Sequence, residues 1–153
     1  MKTTRIFIGI DPGANGSLCT LSSTGDTSFI EYKQTGLLGY IDYLKTVLDQ
    51  KPTMVVEKVH AMRAQGVVSV FSFGLRLGEL EGMLQALGLG YTLVRPQEWQ
   101  KVCGVKQKTG KKGVHEVMSK AYPSAPLRGP KGGIKDGNCD ALGIAHYARV
   151  KYS

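Results

Sequence analysis

Four carboxylates in this chain stand where a strand is expected to end or a helix to begin. Asp11 follows Arg5-Ile6-Phe7-Ile8-Gly9-Ile10, Glu57 closes Met54-Val55-Val56, and Asp136 and Asp140 open the last apolar segment. Hard divalent cations such as Mg²⁺ bind through oxygen ligands, and a pair of them can clamp the attacking and leaving oxygens of a phosphodiester. The set therefore points to metal-dependent nuclease chemistry. Taken singly, most of these acids also have a structural reading: Asp11 could stabilise the Pro12-Gly13 turn, and Asp136 or Asp140 could cap a helix. Glu57 resists that treatment, because it ends a buried run where an unpaired carboxylate is costly.

The elements that must position these acids follow from periodicity. Residues 5–11 form an Ile-rich run too short for a helix and read as a buried strand, central in its sheet. Residues 17–22 and 27–33 read as two further strands set off by the turn signals Pro12-Gly13-Ala14-Asn15-Gly16 and Thr24-Gly25-Asp26. Together they predict an antiparallel meander with Asp11 on its central member. Residues 37–50 carry apolar positions at helical spacing and end at Lys51-Pro52, so 54–57 should return as a strand parallel to the first. A long helix is expected over 65–87, a fifth strand over 90–94, and a short helix after Arg95-Pro96. Residues 109–121 read as a helix capped by Thr109, 122–134 as a mobile loop, and 136–150 as the closing helix. The spacing of four between Asp136 and Asp140 puts both carboxylates on one face of that helix. Gly74, Gly78 and Gly82 recur at every fourth position of the long helix. At about 1 kcal/mol each relative to Ala they call for a close neighbour, either the sheet of the same domain or a symmetric partner.

Charge narrows the class. The net charge is +8, and nine lysines and arginines between Lys101 and Lys135 against the single acid Glu116 account for all of it. Such a one-sided segment is the footprint of a protein that neutralises phosphates, with a solvated basic face as the plain alternative. The 153 residues, 42% hydrophobic, suit one domain spanning 1–153. No apolar stretch is long enough for a membrane span and Met1-Lys2-Thr3-Thr4-Arg5 is not a signal peptide, so the expected location is the cytoplasm, without membrane partners. Cys19, Cys103 and Cys139 are odd in number and lack C-x-x-C spacing, which argues against a disulfide framework or a zinc site.

Three segments, in order, carry a specific resemblance. Ile8-Gly9-Ile10-Asp11-Pro12-Gly13, Val55-Val56-Glu57-Lys58-Val59 and Asp140-Ala141-Leu142-Gly143-Ile144-Ala145 resemble the motifs of the RuvC family of Holliday junction resolvases, and the order of elements agrees over residues 5–150. The resemblance implies an α/β RNase H-like fold, a five-stranded mixed sheet flanked by helices. It further implies a homodimeric endonuclease with two Mg²⁺ or Mn²⁺ ions per active site. Such an enzyme cuts a four-way DNA junction by paired symmetric nicks that leave 5′-phosphate and 3′-hydroxyl ends, in a bacterial or phage-infected cell. Carried over, Asp11 would bridge the metals while Glu57 and Asp140 complete the triad. Bacterial members typically place the fourth acid where this chain has Gly137, so Asp136 would serve from one residue away. Lys112 falls near a lysine that in the family lies close to the scissile phosphate, with Lys108 and Lys111 beside it. His60 occupies a position where the family often has an aromatic that stacks on junction bases; histidine can stack or donate to phosphate, and an ordinary surface role is equally open. With His60, the residues Lys108, Lys111, Lys112, Arg128 and Lys131 form the expected DNA-contacting set. The Asp-x-Gly start also resembles the phosphate loop of actin-like ATPases, but those need a second related domain for which the chain has no room. A nuclease of the same fold acting on flaps, forks or hybrids, and a non-catalytic DNA-binding relative, are the remaining alternatives.

Overall fold

The computed structural model describes residues 3–58 and 66–153; His60, Val59 and the expected helix start at Gln65 lie outside the described residues. Strand β1 (Ile6–Ile10) pairs antiparallel with β2 (Ser17–Ser22), from Ile6 opposite Ser22 to Ile10 opposite Leu18. Strand β3 (Thr27–Glu31) pairs antiparallel with the far edge of β2. Helix α1 (Tyr32–Val47) and a 3-10 turn (Leu48–Gln50) return the chain to the free edge of β1, where β4 (Thr53–Glu57) adds in parallel. Strand β5 (Thr92–Val94) then adds in parallel to β4, and the sheet order is β3-β2-β1-β4-β5. The five-stranded mixed sheet is as expected, with one correction: the central member of the meander is β2, and β1 becomes central only because the α1 crossover sets β4 on its other side.

Each face of the sheet has its own apolar layer, which is why β1 and β4 are apolar throughout rather than alternating with polar residues. On one face Phe7, Cys19, Leu21 and Val55 pack with α3 (Pro96–Val102), α4 (Gly110–Ala121) and α5 (Asp136–Tyr152). On the other, Ile8, Ile10, Met54 and Val56 pack with α1 and with α2 (Val67–Ala86). The expected helix start at 37 marks a real break. Gly36 adopts φ 63°, ψ −164° inside α1, so the helix leaves the strand at Tyr32, breaks at Gly36 and resumes at Leu37. Strand β3 accordingly stops at Glu31 instead of reaching Lys33.

Two further expectations are corrected. Thr109 does not cap α4 with its side chain; its hydroxyl donates to the Lys106 carbonyl at 2.6 Å. Residues 122–134 form a self-bonded turn rather than a mobile loop. Arg128 bridges to Ile134, the Gly129 amide donates to the Gly133 carbonyl at 2.8 Å, and buried Leu127 ties the segment to the core. Among the described residues the α2 glycines do not pack on the sheet of their own domain. A side chain added at Gly74, Gly78 or Gly82 would meet nothing among the described residues, because α2 packs on the sheet layer through Leu80, Met83 and Leu84.

Helix α5 packs on β1, β2 and β4. It does so at backbone range: a methyl group at Gly9 would collide with the carbonyl oxygen of Ala141 and the amide nitrogen of Ala145. Gly143 meets the Trp99 ring with the same closeness, and Gly137 meets the backbone of Asn15. Gly9→Ala is expected to cost about 3 kcal/mol in denaturant unfolding, since the helix must lift off the strand. Gly90→Ala, in open space, should change stability by no more than about 0.5 kcal/mol.

Candidate metal and nucleic-acid site

Parallel pairing sets two of the acids side by side. Ile10 is in register with Val56, so the next residue on each strand, Asp11 and Glu57, emerges at the carboxyl edge of the sheet next to its neighbour. The Asp11 amide donates to the Ser17 carbonyl at 3.1 Å, and its own carbonyl accepts from the Gly13 amide at 3.1 Å, which pins the turn after β1. Helix α5 brings the other two. Buried Asn138 in its first turn accepts from the Ser17 hydroxyl and donates to the Pro126 carbonyl at 3.1 Å, tying the helix start to β2 and to the preceding turn. Asp136 and Asp140 flank Asn138 and share the helix end where the backbone dipole favours negative charge.

Crowding of like charges is visible in the titration of the buried pair. Burial pushes the Asp11 carboxyl up to about 7, with added repulsion from Glu57 and then Asp136. Asp140 is pushed up to about 8, by burial first and then by Asp11, Glu57 and Asp136, with Lys111 opposing. Acids from three elements thus act on Asp11 and Asp140. Two are already engaged: the Trp99 indole donates to Glu57 Oε2 at 2.7 Å, and Lys111 Nζ lies 2.7 Å from Asp136 Oδ2. Among the described residues no three acids are drawn together at ligating distance. The donor set, carboxylate oxygens only and partly withdrawn from water, fits a hard cation such as Mg²⁺ or Mn²⁺.

A cleft of about 580 Å³ opens at this point, lined by Asp11, Asp136 and Asp140 together with Lys33, Lys111 and Lys135. Lys135 is also paired with Glu31 at 3.0 Å. Of the lysines expected near the reacting phosphate, Lys111 is the one against the acids. Lys112 is exposed and outside the cleft lining, as is Lys108, which precedes α4 with φ 62°. Arg128 and Lys131 are exposed on the 122–134 turn, and the Arg128 guanidinium donates to the Gly132 carbonyl at 2.7 Å. Several residues in or behind the cleft escaped the sequence reading: Trp99, Asn138, Lys33 and the aromatic Phe73. Trp99 carried a signal, being the chain's one tryptophan on a short helix after a strand, but nothing local told that its N–H meets Glu57.

Raised carboxyl pKa values mean that the folded, metal-free protein binds more protons than the unfolded chain between about pH 4 and pH 8, so stability falls as pH rises through that window. Asp140→Asn should therefore stabilise the metal-free protein by roughly 1–3 kcal/mol near pH 8 and give no gain near pH 4, where the wild-type carboxyl is already protonated. Thermal melts across pH with a chelator check this, and added Mg²⁺ should flatten the slope of the wild type.

No family model and no curated protein matches the sequence. Among solved structures the chain is similar to Thermus thermophilus RuvC in complex with a Holliday junction substrate, with a TM-score of 0.61 and 18% identity over 96% of each chain. It is similar also to a second Thermus thermophilus RuvC structure, with a TM-score of 0.59 and 15% identity over 95% of this chain and 96% of that one. Agreement over nearly the whole of both chains, on a five-stranded mixed sheet with helices on its two faces, gives this chain the RuvC architecture, an RNase H-like α/β fold.

Proposed function

We propose that the protein is a metal-dependent endodeoxyribonuclease that resolves four-way DNA junctions. The observation that carries the reading is that Asp11, Asp136 and Asp140, from β1 and α5, line a lysine-bearing cleft, with Glu57 of β4 close enough to act on Asp11 and Asp140, on the fold of a junction-binding protein. Asp11, placed between β4 and α5, is the acid able to reach two ions, with Glu57 on one side and Asp140 and Asp136 on the other. Two Mg²⁺ or Mn²⁺ ions, when bound, supply a water of lowered pKa for in-line attack and positive charge for the departing 3′-oxygen. The protein's own part is orientation and charge. Trp99 holds Glu57 by one oxygen, and Asn138 fixes the pitch of α5 and with it Asp140. Lys111, which pairs with Asp136, would be available to a phosphate if cations were held by the acids; we assign to it the role that the resemblance implied for Lys112. Lys33 and Lys135 extend the positive wall for the strand on either side, and Lys108, Arg128 and Lys131 stand further out as backbone contacts, which select shape more than sequence.

Paired cutting needs two such sites in one assembly, and α2 offers the surface. Val67, Val68 and Phe71 are 86%, 80% and 70% exposed, Leu75 is half exposed, and the open glycines Gly74, Gly78 and Gly82 continue along the helix. A monomer rarely leaves such an apolar stripe in water, and a two-fold partner bringing its own α2 would cover it at close range. Among the described residues no helix is long and apolar enough to cross a membrane.

Two outcomes test the reading. With Mg²⁺ or Mn²⁺, the wild type should place symmetric paired nicks in a four-way junction, and Asp11→Asn should reduce cleavage at least about 10³-fold while junction binding in a gel shift persists. Equal cutting of flaps, forks, hybrids or linear duplex would favour a general nuclease of this fold instead. Phe71→Asp should shift the protein from dimer to monomer in sizing by light scattering and uncouple the two nicks, leaving each site's metal binding intact.

A further inference from the structure

On the α1 side of the sheet, opposite the helix that carries Asp140, the ring of Tyr40 is 2% exposed, yet its hydroxyl has no hydrogen-bond partner among the described residues. A buried O–H left unpaired is costly, and phenylalanine would fill the same space without that cost. Beside Tyr40 lies a narrow cavity of about 10 Å³ that Asp11, Pro12 and Gly13 also line, together with Tyr32 and Arg76. That is room for about one water. The ring is held in place. It meets Tyr32 edge to face at 6.1 Å and 71°, and Tyr32 is in turn clamped by Arg76, whose guanidinium stacks 5.2 Å from the ring and donates to the Tyr32 hydroxyl at 2.9 Å. A phenol carries its proton at neutral pH, so toward Asp11 it is a donor.

We propose that Tyr40 is a positioning residue for Asp11, its hydroxyl donating through a single bridging water to the Asp11 carboxylate from the side away from α5. Resting on the reading of Asp11 as a metal ligand, this gives a physical use to a polar atom that is otherwise a pure loss. One carboxylate oxygen of Asp11 is occupied from behind, which turns the other toward the cleft. Partners that orient a ligand in this way commonly govern metal affinity as strongly as they govern rate. Because Arg76 sits on α2, the same helix that presents the apolar stripe also buttresses the Tyr32–Tyr40 stack behind Asp11.

Tyr40→Phe removes the oxygen and keeps the ring. Titration of Mn²⁺ alone into the full-length protein, without DNA, should show roughly 10-fold weaker binding in this variant, with a metal-free melting temperature equal to or above that of the wild type and unchanged junction binding in chelator. Tyr43→Phe, on the same helix as Tyr40, loses a hydroxyl bonded to Thr20 of β2; it serves as the control and should bind Mn²⁺ as the wild type does. Wild-type Mn²⁺ affinity in Tyr40→Phe overturns the proposal and leaves the nuclease reading standing. A wild-type protein that takes up no Mn²⁺ overturns both. Weakened Mn²⁺ binding in Tyr40→Phe, in a protein that cuts no DNA, upholds the positioning role and removes the nuclease.

Discussion

The backbone of α5 rests on β1 with nothing between them at Gly9, and the site depends on that contact. A side chain at Gly9 would hold the helix off by the thickness of a methyl group or more. Asp140, one residue before the contact at Ala141, would then move away from Asp11. The same closeness recurs at Gly137 against the Asn15 backbone and at Gly143 against the Trp99 ring, so α5 is seated at three places along its length. Asn138 adds a polar lock between these points, bonded to Ser17 on β2 and to the Pro126 carbonyl. Packing on this side of the sheet therefore serves to bring a helix end within reach of two strand ends.

What this seating produces is electrostatically unfavourable by itself. Carboxylates from three elements are pressed together in a partly dry place, and the protein answers by holding Asp11 and Asp140 protonated well above their ordinary range, by pairing Asp136 with Lys111, and by engaging Glu57 with Trp99. Structural ion-pair networks also perturb titration. Here, however, the two perturbed acids line an open cleft. In the reading proposed above, a divalent ion would relieve that cost, and its binding would then be linked to folding. In that reading the lysines around the cleft would have phosphate as their counter-charge.

Much of this was legible along the chain. Apolar runs ending in Asp11 and Glu57 marked two strands with acids at their carboxyl ends, and the helical crossover between them required parallel pairing, which is the observed register. The Asp136–Asp140 spacing placed both on one helix face. Gly36 was not legible as a break inside a helix that starts five residues earlier than its periodicity suggests, because a strand can run directly into a helical turn without a capping residue. The 122–134 segment misled by composition: its prolines and glycines build a turn closed by its own hydrogen bonds, and one buried leucine anchors it. In the meander, local hairpin logic put β1 at the centre of three strands, whereas its central place comes from β4, a partner distant in sequence.

Residue types and short-range spacing determined by themselves that this chain carries carboxylates at element ends, a one-sided basic segment, and strands apolar on both faces, because these follow from chemistry and periodicity within a few residues. Tertiary structure alone decided which lysine meets the acids, that Trp99 holds Glu57, that Tyr40 stands behind Asp11, and that the α2 glycines face outward. Each of these is a distance between elements far apart in sequence, set by how closely one backbone can approach another, and no local pattern records such a distance.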